Sequence, residues 1–227
     1  MNVTDIKSEI PTSGDRLKEI FAKQRLLMEK YEEIEEKNGL LQTKDIPVDL
    51  NDRFGQARLK DFAWRTVEEL AEAAEAVQIH PELVEHQREE VIDALHFLTE
   101  LTILAGVSPE ELSGRLLAEG RGEYPPSDPL GEIFYLVEPT VVIDDDVIYR
   151  TMSEMIVSLG CTMNTCRNKA WKNTHMLCDT NLFKKHLVST WYHFFRLCIA
   201  YGMTPEMVDD LYFRKNQVNQ FRQRSNY

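Results

Sequence analysis

The sequence lacks most features that would assign it quickly. Its four cysteines, Cys161, Cys166, Cys178 and Cys198, form no C-x-x-C pair. That excludes a zinc ribbon and a dithiol redox motif. They read as reduced, mostly buried thiols of a cytosolic protein. No apolar run approaches the length of a membrane span. The segment from Met1 to Arg16 is polar and carries no signal sequence, so the expected location is the cytoplasm. Cations are outnumbered, with 26 Lys and Arg against 38 Asp and Glu and a net charge of -12. Such a balance argues against nucleic acid or an anionic membrane as the main partner. A phosphate-bearing small molecule remains possible, because a bound metal and a local basic cluster override global charge.

Helical periodicity fills most of the chain, so the fold class expected is all-α. Leu17, Ile20, Phe21, Leu27, Met28, Tyr31 and Ile34 form one stripe of a helix over about 15–37. Gln24 interrupts that stripe as a lone amide. A second helix is expected over about 56–78. A third should run from Pro81, in its first turn, to about Ala105, with Gly106 closing it. Ser108-Pro109-Glu110-Glu111 has the chemistry of a helix start. Glycine and proline cluster between 120 and 140 and interrupt any helix, leaving a linker with a short extended piece from Ile133 to Val137. Asp144-Asp145-Asp146 reads as an N-terminal cap. Further helices are expected at about 146–160, 180–201 and 205–215.

Two acid pairs stand out. Glu69 and Glu72, then Glu90 and Asp93, each lie three residues apart on a helical pattern. That spacing puts each pair on one helix face, next to apolar residues that should be buried. Any one of these acids alone reads more simply as a solvated glutamate. Four of them converging between packed helices would repel unless a cation sat among them. Oxygen donors of this kind suit a hard divalent ion, best Mg²⁺. His96 reads as a packing histidine, because Mg²⁺ prefers oxygen.

Gly106-Val107-Ser108-Pro109-Glu110 recurs as Gly202-Met203-Thr204-Pro205-Glu206, 96 positions later. Trp64-Arg65-Thr66 is echoed by Tyr149-Arg150-Thr151. At the 96-residue offset Glu90 and Asp93 correspond to His186 and Ser189, so the second copy has lost its acidic pair. The C-terminus is the reverse. From Tyr212 to Tyr227 it carries Arg214, Lys215, Arg222 and Arg224 among amides. Such groups suit polyphosphate oxygens.

The pattern Tyr212-x-x-Lys215-Asn216-x-x-Asn219-x-x-Arg222-Gln223-x-x-x-Tyr227 resembles the C-terminal motif of the all-α dimeric dUTPases and T-even-phage dCTP/dUTP pyrophosphatases, within the MazG-like pyrophosphohydrolases. Glu69-x-x-Glu72 and Glu90-x-x-Asp93-x-x-His96-Phe97 resemble that family's two metal-binding helices. Ala170-Trp171-Lys172 resembles a Lys/Trp-rich stretch of some members. The resemblance implies an enzyme that uses Mg²⁺ to cleave a deoxynucleoside triphosphate, dUTP or dCTP, to the monophosphate and pyrophosphate. It implies Glu69, Glu72, Glu90 and Asp93 as metal ligands, with Glu69 as general base. It assigns Lys215, Asn219, Arg222 and Tyr227 to phosphate, and Gln24, Phe97 and Asn216 to the nucleoside. A phage-encoded member would work in the host cytoplasm.

The chain departs from the family at Asn226, where a glycine is usual, and in the long separation of Asp93 from Lys215. Gly106 is followed thirteen positions on by Glu119, but Gly202 by Lys215. One half keeps the acids and the other keeps the phosphate motif. The expected organisation is therefore a tandem degenerate duplication forming a pseudo-dimer with one composite site. Its parts would be 1–119, a linker at 120–143, and 144–227. A homodimer with shared sites is the alternative arrangement. The competing functions are a non-catalytic helical nucleotide-binding protein and a purely structural bundle.

Overall fold

The computed structural model describes residues 3, 6–7, 14–118, 127–137, 144–168, 173 and 175–224. Eight helices occur among them: α1 (Arg16–Lys37), α2 (Arg53–Ile79), α3 (Val84–Leu104), α4 (Pro109–Ala118), α5 (Pro129–Val137), α6 (Asp145–Thr165), α7 (Thr180–Ala200) and α8 (Pro205–Arg224). No single described helix is long and apolar enough to cross a membrane.

Their ends follow from capping chemistry. The Asp15, Asp52, Asp144 and Asp179 side chains accept from backbone N–H groups of the first turns of α1, α2, α6 and α7. Each satisfies a donor that the helix cannot bond internally. Ser108 Oγ does the same for Glu111 N–H in α4, at 3.1 Å. The α3–α4 and α7–α8 joints match bond for bond. Gly106 and Gly202 both take the left-handed conformation, at φ 71° and 65°. Each donates to the carbonyl three residues back, Ile103 or Ile199. Val107 and Met203, one residue on, donate to Thr102 and Cys198. This 6→1 and 5→2 pair is the Schellman closure that glycine permits. At Gly106 a side chain would also strike Pro47, 2.9 Å from a built Cβ.

Four expectations from the sequence need correction. Residues Ile133 to Val137 belong to helix α5 rather than an extended piece. There Pro129 sits at the first helical position, where its missing N–H costs nothing. Pro81 lies in the turn before α3, which begins at Val84. Helix α6 runs on to Thr165, past Gly160, beside which a side chain would meet open space. Helix α8 continues to Arg224, so the basic motif is helical up to that point.

Packing pairs α2 with α3 and α6 with α7 as two hairpins. Helix α1 lies on α3 and α8, while α5 lies on α7 and α4. Helix α8 also packs on α3, and α4 on α7. The hairpins meet through α2 with α6 and α3 with α7. One continuous core joins them. At its centre Trp191 is fully buried, its indole N–H donating to Thr102 Oγ1 at 2.8 Å, with Phe21, Phe194 and Phe195 around the ring.

Candidate active site

The site forms where the α2–α3 hairpin meets α8. Leu70 and Ala73 of α2, with Val91 and Ala94 of α3, turn into the core. The same helical phase turns Glu69, Glu72 and Glu90 toward one another. One oxygen from each lies within 4.8 Å of the others. Glu72 is exposed, Glu69 half-buried and Glu90 buried. His86 Nδ1 stands 3.2 Å from a Glu90 oxygen.

This concentration of carboxylates has an electrostatic cost. Burial raises the Glu69 pKa first, and the charges of Asp93, Glu72 and Glu90 add to it; Lys215 opposes them. The result is a carboxyl pushed up to about 8. Glu90 and Glu89 are also raised, chiefly by burial and against the pull of Lys215. Like charges in a poorly solvated site disfavour ionisation, and a cation restores it. Three carboxylates at this spacing offer only oxygen donors, so the residues fit a hard divalent ion.

Asp93, expected as a fourth ligand, stands outside that group of three. Its Oδ2 lies 2.5 Å from Lys215 Nζ, with a Glu89 oxygen 3.9 Å from the same ammonium. Burial pulls the Lys215 pKa down, but Asp93, Glu90 and Glu89 outweigh it and leave it raised. Lys215 comes from α8 and Asp93 from α3, more than a hundred residues apart in sequence. The fold thus brings the two halves of the motif to one cleft.

The other expected residues are placed as follows. Gln24 is buried, and both ends of its amide are engaged. Its Nε2 donates to Glu100 Oε2 at 2.9 Å, and its Oε1 accepts from Tyr212 Oη at 2.8 Å. In this arrangement it ties α1 to α3 and α8. Phe97 is half-buried against Phe62, ring centroids 6.3 Å apart, with the Arg65 guanidinium within 6 Å of both rings. Asn216 is fully buried; its Oδ1 accepts from Gln220 Nε2 at 2.7 Å, while its Nδ2 lies near the Tyr212 hydroxyl without a well-formed hydrogen bond. Asn219 is half-buried and Arg222 exposed on α8. Tyr227 lies outside the described residues, as do Ala170, Trp171 and Lys172.

His96 is buried and stacked on Tyr212 at 4.2 Å between centroids. Its Nδ1 faces the Ile92 carbonyl at 2.9 Å and its Nε2 has no partner. Burial lowers its pKa, so the ring is neutral, with Nδ1 donating and Nε2 carrying a lone pair.

Glu89 and Glu100 went unnoticed in the sequence. Glu89 sits between Arg88 and Glu90 in a charged run, which carries no signal. Glu100 did carry one, as a lone acid on the apolar side of α3, like Gln24 on α1. Burial pushes Glu100 up to about 8 against the help of Gln24 and Arg58.

No curated protein and no solved structure matched the chain. A family model described as dUTPase matches residues 16–227, and with this helical architecture the chain belongs to the all-α dimeric dUTPase family, nucleoside triphosphate pyrophosphatases that hydrolyse dUTP.

Proposed function

We propose that the protein is a Mg²⁺-dependent pyrophosphohydrolase that converts dUTP to dUMP and pyrophosphate, with dCTP a weaker substrate. The observation that carries this reading is the meeting of three clustered carboxylates with the Lys215 ammonium in one cleft. Dimeric dUTPases generally use a divalent metal, and an acidic cluster is present here. Glu69, Glu72 and Glu90 would hold it. Asp93 would join them when Lys215 turns from it to a substrate phosphate. The bound ion supplies charge neutralisation for the triphosphate and for the leaving pyrophosphate.

The chain's own groups do the rest. Glu69, ionised once a cation offsets its acidic neighbours, orients the attacking water and takes its proton. The water oxygen bonds to phosphorus as the bond between monophosphate and pyrophosphate breaks. Lys215, Asn219, Arg222 and Tyr227 grip phosphate oxygens, the cations by charge and the amide by neutral donation. Phe97 packs on the deoxyribose.

For the base, two buried polar atoms next to Tyr212 matter most. His96 Nε2 is an acceptor and Asn216 Nδ2 a donor. Such a pair matches the N3–H and a carbonyl of uracil. Cytosine presents an unprotonated N3, which would face the His96 lone pair. Unpaired polar groups of this kind discriminate strongly between substrates. Gln24 supports the pocket by fixing Tyr212 under His96, rather than reading the base directly.

A tandem duplication explains the architecture. Exchanging α1–α4 for α5–α8 turns every pair of packed helices described above into another such pair. The identical closures at Gly106 and Gly202 point the same way. The second half then begins at α5, inside the stretch expected as linker.

Pyrophosphate release from each dNTP, with Mg²⁺ and with EDTA, tests the function. Release from dUTP only with Mg²⁺ supports it. No release from any dNTP refutes it, leaving a non-catalytic nucleotide-binding protein.

A further inference from the structure

The same exchange of helices identifies a second cleft. The carboxylate site lies on α3 under α8 and α1. Its counterpart lies on α7 under α4 and α5, and a cavity of about 850 Å³ opens there, lined among others by Arg115, Leu116, Ile133, Lys185, Ser189 and Tyr192.

Residue by residue, this cleft has lost most of the acids of the first one and gained a lysine. At the 96-residue offset Lys185 stands at the place of Glu89, His186 at that of Glu90, Ser189 at that of Asp93 and Tyr192 at that of His96. The burial pattern supports this register: Val91 and Leu187, Leu95 and Trp191, Leu98 and Phe194, and Leu112 and Val208 are all buried. On α6 the register with α2 is 85 residues, pairing buried Thr66 with Thr151 and Leu70 with Met155. It puts Glu154 at the place of Glu69 and the exposed Val157 at that of Glu72. Glu154 is neutralised by Arg196 at 2.5 Å, with His193 Nδ1 3.4 Å away. No set of metal-binding carboxylates survives there among the described residues.

The cavity also has a steric origin. Leu116 occupies the place of Tyr212, so the ring that fills the first pocket against His96 is missing. Tyr192, at the place of His96, is instead 41% exposed at the groove. At the rim, Glu111 is shared by Arg115 at 2.9 Å and Lys184 at 2.9 Å, two cations on one acid. Lys185 makes no ion pair among the described residues.

We infer that this α4–α5–α7 groove is a second, metal-independent nucleotide site, in which Lys185 and Arg115 meet the phosphate directly and the apolar wall with Tyr192 receives the base. The volume is in the range of a small-molecule pocket. Lys185, at the place of Glu89, and Arg115 in the same lining take over the neutralisation that a metal ion supplies in the first cleft. The inference rests on the duplication reading above, and uses dUMP as its probe. No bond is made or broken at this site.

Titration calorimetry of the full chain with dUMP in EDTA tests it. Binding is expected without metal, weakened at least ~10-fold in the Lys185→Glu/Arg115→Glu double variant and unchanged in Lys215→Met. Ser189→Trp, which fills the groove without altering charge, should abolish the same binding. Mg²⁺-dependent dUTP hydrolysis at low substrate should persist in these groove variants. Absence of dUMP binding in EDTA overturns the inference, as does binding that survives both groove changes or is lost only in Lys215→Met. Failure of the unaltered chain to release pyrophosphate from dUTP would refute the catalytic reading instead, and leaves this measurement intact.

Discussion

The raised Glu69 carboxyl makes the metal-free protein sensitive to pH in a defined direction. Its pKa is 4.5 in the unfolded chain and about 8 in the fold. Between these values the native state binds a proton that the unfolded state does not. The stability contributed by this proton therefore falls as pH rises through this window, and that contribution is gone above about 8. Sealed from water, a difference of this size would be worth roughly 5 kcal/mol. Glu69 is only half-buried, and solvent screening brings this to roughly 1–2 kcal/mol. For a chain of this length that is about 3–6 °C in Tm. Glu100 titrates in the same range and the same direction, so the unaltered protein alone cannot isolate Glu69. Glu69→Gln can. In EDTA, scanning fluorimetry should give this variant a higher Tm than the parent at pH 8.5 and nearly the same Tm at pH 5. Saturating Mg²⁺ should raise the parent's Tm, most of all at high pH, because metal binding must displace the proton. Parallel Tm curves for the two proteins from pH 5 to pH 8.5 would refute the electrostatic account of the cluster.

Further outcomes follow from the same geometry. Asp93→Asn should cut turnover at least ~100-fold and also destabilise the fold by roughly 2–3 kcal/mol, because it leaves the buried Lys215 ammonium without its partner; the double variant with Lys215→Met should recover stability but not activity, read by urea melts and pyrophosphate release. Deleting residues 222–227 should abolish dUTP hydrolysis while the far-UV spectrum stays nearly unchanged, because that segment adds little to the helical total. His96→Phe keeps the stack on Tyr212 and removes the lone pair, so kcat/KM for dUTP should drop toward that for dCTP, measured with both nucleotides under one condition.

The sequence disclosed helices and acids more readily than partners. Amphipathic stripes, the helix start at Ser108, the Asp144 cap and the glycine closures are local signals, and they placed most of the elements. Helix α5 was hidden because its prolines and glycines read as interruption, whereas Pro129 begins the helix. The Lys215–Asp93 pair could not be read from spacing, since the two residues are joined only by the packing of α8 on α3. Gln24 shows the other limit. A lone amide on an apolar stripe signals a buried hydrogen-bond partner, and does not say whether that partner is a ligand or the chain itself. Here Glu100 and Tyr212 occupy both of its ends.

The pairing of Asp93 with Lys215 also bears on why the motifs divide between the two halves. A cleft with four acids and no cation would be strained by mutual repulsion before any metal arrived. An ammonium delivered by the other half offsets that repulsion and positions the phosphate ligand at the same time. The first half's own helix at that register, α4, is followed by Glu119 where α8 has Lys215, and an acid there could not serve. Conversely, cations at Lys185 and Arg196 could not coexist with a working metal set on α7. Once one cleft kept the acids, the cation that balances them had to come from α8, and the α4–α7 cleft was free to lose its own. On the duplication proposed above, complementary retention of motifs is thus what charge balance would demand of two copies sharing one site.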